Sequence, residues 1–323
     1  MEHEQMTGDV EEEHRLQVSP EELKVIRETL LDRSLTMAQR YRSVFTLRNI
    51  GGDEAISILA ESFNDPSALL KHEVAYCLGQ MQNVTALPHL ERLLRNAEEN
   101  SMVRHEAGEA LGAIGLEESL PLLEQYSRDS VPEVAETCSL AIDTIKYKLK
   151  HKGNKAPFES AHMSIDPAPP SAKRSVEELK QRLMNTSFSM FKRYRAMFAL
   201  RELGTAEAAM ALADAFVDSS ALLRHEIGYV LGQMAHEAAA PALTKVLQNL
   251  DEHPMVRHEA AEALGAIATP EAMDLLGQFL TDKEPAVKES CVVALDMSEY
   301  VNSDSFEYAD TLQLAKAQLA AAQ

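Results

Sequence analysis

Residues 71–81 read KHEVAYCLGQM and residues 224–234 read RHEIGYVLGQM, an offset of 153 (224 less 71). At the same offset MVRHEAGEALGAI, residues 102–114, returns as MVRHEAAEALGAI, residues 255–267. The triplet Arg40, Tyr41, Arg42 returns as Arg193, Tyr194, Arg195, and Cys138 as Cys291. A constant offset without insertion means two equivalent halves made by tandem duplication. The expected organisation is an extension over 1–21, a first half over 22–150, a linker over 151–174, a second half over 175–300 and a tail over 301–323.

Each half is itself periodic. Tyr41, His72, His105 and Val134 each precede a Leu by six residues and are spaced 31, 33 and 29 apart, a period that suits stacked helical hairpins. Apolar residues recur at helical spacing, as in Ala55, Ile56, Leu59 and Phe63 or Val74, Ala75, Leu78 and Met81, without the alternation of a half-buried strand. Short connections such as Gly51-Gly52-Asp53 and Asn64-Asp65-Pro66 separate them. The expectation is an all-α chain: an α-helical solenoid of eight hairpins, four in each of two pseudo-symmetric halves, similar to HEAT-type repeats. The linker, rich in Pro, Ser and Lys, has no apolar period and is long enough to let the halves fold back on one another. The first ~20 residues and the tail after Tyr300 fall outside the repeat frame and read as disorder or loose helix.

Composition narrows the function. Of 323 residues, 31 are Lys or Arg and 51 Asp or Glu, for a net charge of −20. That argues against a surface that tracks phosphates, so nucleic acid is not expected as a ligand. Three cysteines form no disulfide framework, the acidic start lacks the apolar core of a signal peptide, and no apolar run is long enough for a membrane span. These features predict a cytoplasmic protein with reduced thiols.

The candidate chemistry lies in a repeated dipeptide. His72-Glu73, His105-Glu106, His225-Glu226 and His258-Glu259 occupy the two middle units of each half, where the outer units carry Tyr41-Arg42, Val134-Ala135, Tyr194-Arg195 and Val287-Lys288. The dipeptide alone is weak, since His3-Glu4 and His236-Glu237 occur out of frame. A lone His at a helix start is ordinarily a surface or capping residue. Four in adjacent stacked units can converge, because packed helices lie about 10 Å apart. Imidazoles and carboxylates together suit metal binding. No HExxH occurs, because the residue four after each His is Tyr76, Glu109, Tyr229 or Glu262. A cysteine-rich zinc pattern, a P-loop, a dinucleotide fingerprint and a GxSxG elbow are also missing from the sequence. Four His and four Glu related by a pseudo-twofold point to two metals facing across a cleft, one per half. Two irons would activate oxygen, whereas two zincs or manganeses would suit hydrolysis.

With the motif placed in units two and three of both halves, residues 30–300 resemble the deoxyhypusine hydroxylase family. The resemblance implies a di-iron monooxygenase that uses O2 to convert the deoxyhypusine residue of translation initiation factor 5A to hypusine. It also implies His72, His105 and Glu106 on one iron, His225, His258 and Glu259 on the other, Glu73 and Glu226 as substrate-binding carboxylates, and no catalytic residue beyond the metal ligands. Because the chain shows no flavin or nicotinamide motif, an external reductant is expected. Two other readings remain open at this point: a non-catalytic HEAT-repeat scaffold that binds proteins, and a binuclear metal hydrolase.

Other residues have plainer readings. Cys77, Cys138 and Cys291 lie on apolar stretches and are expected to be small buried hydrophobes, with Met81, Met102, Met234 and Met255 as core filling. Glu109 and Glu262, one turn after a motif His, suit either second-sphere acceptors or a solvated face. Tyr76 and Tyr229 line the cleft or pack. Arg104 and Arg257 either balance the carboxylates or make ordinary surface pairs.

Overall fold

The structure, a computed structural model, describes residues 18–152, 162–172, 174–301 and 308–321. Almost all of the extension expected over 1–21 lies outside them. Every regular element among the described residues is helical. The first half runs α1 (Pro20–Leu31), α2 (Met37–Ile50), α3 (Gly52–Glu61), α4 (Ala68–Gln80), α5 (Leu87–Arg95), α6 (Ser101–Ile114), α7 (Leu120–Tyr126) and α8 (Pro132–Lys150). The second repeats it as α9 (Val176–Met184), α10 (Met190–Leu203), α11 (Ala206–Ala213), α12 (Ala221–Met234), α13 (Ala240–Gln248), α14 (Pro254–Ile267), α15 (Pro270–Gln278) and α16 (Pro285–Val301). No described helix is long and apolar enough to cross a membrane.

Local chemistry starts and stops these helices. Ser19 with Glu22, Thr36 with Gln39 and Ser175 with Glu178 form capping boxes, each satisfying two of the free N–H groups at a helix start. Gly51, Gly115 and Gly204 end α2, α6 and α10 at positive φ, where a side chain would be strained. The outer helices bury one stripe; α5 buries Leu90, Leu93 and Leu94, each contributing about 1.5–3 kcal/mol.

The even-numbered helices form an inner row in which each packs on the next, and the row closes on itself. α8 packs against α10 and α12, and α16 against α2 and α4. Two matching clasps hold these junctions. Ser67 Oγ, which caps α4, donates to Glu289 Oε2 of α16 at 2.6 Å, and Ser220 Oγ, which caps α12, donates to Glu136 Oε2 of α8 at 2.6 Å.

Four of the eight inner helices, α2, α6, α10 and α14, are also tied to the outer helix before them by a buried arginine. Arg40 donates to Leu30 O (2.8 Å) and Asp65 (2.7 Å), Arg104 to Leu94 O (3.2 Å) and Asp129 (2.6 Å), and Arg257 to Leu247 O (3.0 Å) and Asp282 (2.6 Å). Arg193 does the same with Leu183 O and Asp218. Arg104 and Arg257 therefore neither balance the site carboxylates nor make surface pairs. The arginine on an inner helix turns away from the ring centre, back to the end of the preceding outer helix, because a free carbonyl and an Asp wait there.

Two segments outside the repeats are also ordered. Residues 311–321, expected to be disordered or loosely helical, form α17 (Thr311–Ala321), which packs on α1 and α2 with Leu312 and Ala315 buried. It covers apolar surface of α1 and α2. Residues 164–171 run from one half to the other as an irregular strap.

Close helix approach depends on small residues. A Cβ on Gly265 of α14 would lie 2.7 Å from Ala294 Cα of α16, and one on Gly79 of α4 would lie 2.8 Å from Ala110 Cα of α6. Gly265→Val is therefore expected to force α14 and α16 apart, at a cost of about 1–3 kcal/mol. Thermal unfolding should show a Tm lower by several degrees. Gly277→Val, with no atom within 4 Å of the added Cβ, should leave Tm nearly unchanged. Equal Tm values for the two variants would refute the packing argument.

Candidate metal centre

All four motif histidines sit at the fifth position of their helices, α4, α6, α12 and α14, one turn past the capping positions. The capping groups there are Ser67, Asn100, Ser220 and His253. The histidines are thus freed from capping and point to the ring centre, each at most 6% exposed. The His72 ring centroid lies 5.4 Å from His105, 5.7 Å from His225 and 5.3 Å from His258; His225 lies 5.2 Å from His105 and 5.4 Å from His258. Duplication and ring closure have brought the four imidazoles into one tetrad across the pseudo-twofold axis.

The glutamates join them. Glu106 Oε2 is 3.3 Å from His72 Nε2, and Glu259 Oε2 is 3.2 Å from His225 Nε2, the same contact in each half. A cavity of about 260 Å³ above the tetrad is lined by Glu73, Glu106, Glu109, Glu226, Glu259 and Glu262. Over it Tyr76 and Tyr229 bring their hydroxyls within 2.8 Å, a hydrogen bond that joins the halves. Both therefore line the cleft. Glu109 and Glu262 belong to the site and not to a solvated face, and Glu262 accepts a hydrogen bond from Ser290 Oγ at 2.7 Å. Sequence spacing places them one turn from a motif His, which is signal enough to flag them. It did not show that neighbouring helices would enclose them. The three cysteines are buried, as are Met102 and Met255, while Met81 and Met234 are partly buried beside the core.

The electrostatics are those of a site built for cations. Burial pushes Glu73, Glu106 and Glu259 each up to about 8, with neighbouring glutamates adding to it, and pushes Glu109 and Glu226 well above the usual carboxylate range. Burial drives His225 down to about 3, and His105 and His258 well below the ordinary imidazole value. Both ring nitrogens of His72, His105 and His225, and Nε2 of His258, are buried without a hydrogen-bond partner. The 3.2–3.3 Å contacts to glutamate are too poorly aligned to count as hydrogen bonds. Buried polar atoms are nearly always paired, so orphaned imidazole nitrogens facing carboxylates fit a metal.

Three donor sets bring their atoms within 4.8 Å of one another: His225, His258 and Glu259; His72, His105 and His225; and His105, Glu106 and Glu109. The first is the trio expected of the second half. In the first half, His72 and His105 group with His225 from across the axis, and His105 and Glu106 group with Glu109. Glu73 and Glu226 face the cavity, and Glu226 Oε1 has no hydrogen-bond partner.

Two outcomes follow from these shifts. A carboxyl raised from 4.5 to about 8 holds its proton at pH 7, so a bound cation must displace it, whereas neutral imidazoles release none. Titration of metal-free protein with a divalent cation in weakly buffered solution at pH 7 should therefore acidify the medium, and no proton release would refute the shifts. The raised carboxyls also stabilise the metal-free fold fully below their unfolded value of 4.5, and that stability is lost as pH rises towards 8. The depressed imidazoles act oppositely, removing stability as pH falls from 6.5 towards 3. Metal-free protein should melt highest between about pH 4.5 and 6.5, and added metal should raise Tm most near pH 8.

The comparisons with known proteins agree with this architecture. The HEAT repeats family matches residues 28–99, 212–296 and 245–319, and the PBS lyase HEAT-like repeat matches 103–129 and 192–218. The chain is 52% identical over 296 residues to the deoxyhypusine hydroxylase of Mus musculus, covering 92% of this chain and 98% of that one. It is 48% identical over 303 residues to the Candida albicans deoxyhypusine hydroxylase, covering 89% and 95%. The structure of human deoxyhypusine hydroxylase in complex with glycerol superposes with a TM-score of 0.84 at 52% identity, over 87% of this chain and 97% of that one. Matched along nearly its whole length in sequence and in fold, the chain belongs to the deoxyhypusine hydroxylase family.

Proposed function

We propose that this protein is an iron-dependent monooxygenase that hydroxylates the deoxyhypusine side chain of translation initiation factor 5A in the cytoplasm. One observation carries the reading: four framed histidines, each with at least one buried ring nitrogen that lacks a hydrogen-bond partner, meet across the duplication axis beneath a cavity lined by six glutamates. In this reading His72, His105 and Glu106 hold one iron and His225, His258 and Glu259 the other. When bound, the iron pair supplies the activation of O2. One oxygen atom enters a C–H bond and the other leaves as water, so an electron pair and two protons must come from an external reductant.

The chain's own residues position and shelter the substrate. Deoxyhypusine is a long aliphatic stem with ammonium groups, and Glu73 and Glu226 are assigned to receive them. A protonated carboxyl there releases its proton to solvent as the ammonium enters and pairs with it, which fixes the carbon that faces the metals. The Tyr76–Tyr229 hydrogen bond and the surrounding helices limit water beside the reacting carbon.

His72→Ala or His258→Ala should remove about half the bound iron and nearly all turnover, because each histidine serves one metal and the reaction needs both. Metal analysis and hypusine formation on a deoxyhypusine-bearing substrate protein read the two effects, and undiminished turnover would refute the paired-metal mechanism. Glu73→Ala should instead keep its iron and raise KM by roughly tenfold or more, the loss of a charge-assisted hydrogen bond. Iron loss equal to that of the His variants would show that Glu73 is a ligand.

A further inference from the structure

The duplication should give the cavity two equivalent approaches, one between α16 and α2 and one between α8 and α10. They are lined by the same positions 153 residues apart: Phe45 with Phe198, Arg48 with Arg201, Ala266 with Ala113, and Met297 with Thr144. The pairs differ in one direction. Phe198, Arg201, Ala113 and Thr144 are buried, whereas Phe45, Arg48, Ala266 and Met297 are half-buried.

The strap between the halves accounts for the difference. Arg201 pairs with Asp166 at 2.6 Å, and Thr144 Oγ donates to Pro167 O. Gln80 brackets the Ile165 backbone, donating to its carbonyl at 3.1 Å and accepting from its N–H at 2.7 Å. Its equivalent Gln233, which lines the cavity, donates to Ser164 Oγ at 3.0 Å. Ala168 is fully buried. On the other side Tyr308 borders the approach, its ring 6.0 Å from Phe45, yet Arg48 has no carboxylate partner among the described residues and lines the cavity with Phe45, Ala266 and Met297.

We propose that residues 164–168 plug one of two equivalent approaches to the metal centre, so that the substrate side chain enters only between α16 and α2, past Phe45, Arg48, Ala266 and Met297. Asp166 is the latch, because its pairing with Arg201 fills on one side the position that Arg48 leaves available on the other. The proposal rests on the hydroxylase reading for its substrate, though not for its geometry. A duplicated site with one closed entrance admits one side chain in one orientation.

Thiol labelling of the full-length iron-loaded protein tests it, since the native cysteines are buried and give little background. Met297→Cys should react quickly with a bulky maleimide, and the reacted protein should lose most of its hydroxylation of the substrate protein. Thr144→Cys should react roughly tenfold more slowly and speed up when Asp166→Ala is added. Thr144→Cys labelling as fast as Met297→Cys with the strap intact would overturn the plug, as would full turnover by maleimide-blocked Met297→Cys. If the two labelling rates differ as expected but the unmodified protein hydroxylates nothing, the plug stands and the proposed function falls.

Discussion

The structure depends on holding acids and imidazoles together in a buried place that opens to solvent on one side. Six glutamates surround a tetrad of histidines, and burial penalises the charged form of all six and of His105, His225 and His258. Without a cation Glu73, Glu106 and Glu259 keep their protons at pH 7 and His225 stays neutral. That arrangement is stable only because the surrounding helices are held by contacts far from the centre. Arg40, Arg104, Arg193 and Arg257 lock inner to outer helices, while the clasps at Ser67 and Ser220 keep the row closed. The fold maintains the donors at short range and leaves their charge to be balanced by metal.

Duplication explains both the symmetry and its use. Each half contributes two histidines, and neither half encloses the tetrad alone, since His72 lies as near to His258 as to His105. Small residues at Gly79 and Gly265 let the inner helices approach until their side chains meet. The clasps and the Tyr76–Tyr229 pair are also symmetric. The strap breaks the symmetry, because a single linker can cover only one side of the axis, and α17 breaks it again where it packs on α1 and α2.

How much of this was legible in the residues varies by element. The all-α repeat, its eight hairpins and the buried cysteines follow from the 153-residue offset and the helical spacing of apolar positions. The four framed histidines could be singled out because four units share what the outer units lack. Arg104 and Arg257 are not legible in this way, since a charge next to a motif histidine says nothing about which way its side chain turns. Their partners at spacings of 10 and 25 residues become visible only when hairpins stack. The tail, expected as disorder or loose helix, holds a packed helix, α17, because apolar surface of the first hairpin, and not any repeat of its own, anchors it.

By itself the sequence determined what is local or periodic: helix starts and stops, the repeat length, the duplication, and the residue types able to bind metal. These depend on neighbours within a few positions, or on copies of them. Only the tertiary structure decided which copies meet. Closure of the row placed His72 beside His225, enclosed Glu109 and Glu262, and set the strap over one approach and not the other. Such contacts join residues 153 or more positions apart, or depend on the path of an aperiodic linker, and their energies come from burial and desolvation that exist only once the ring has closed.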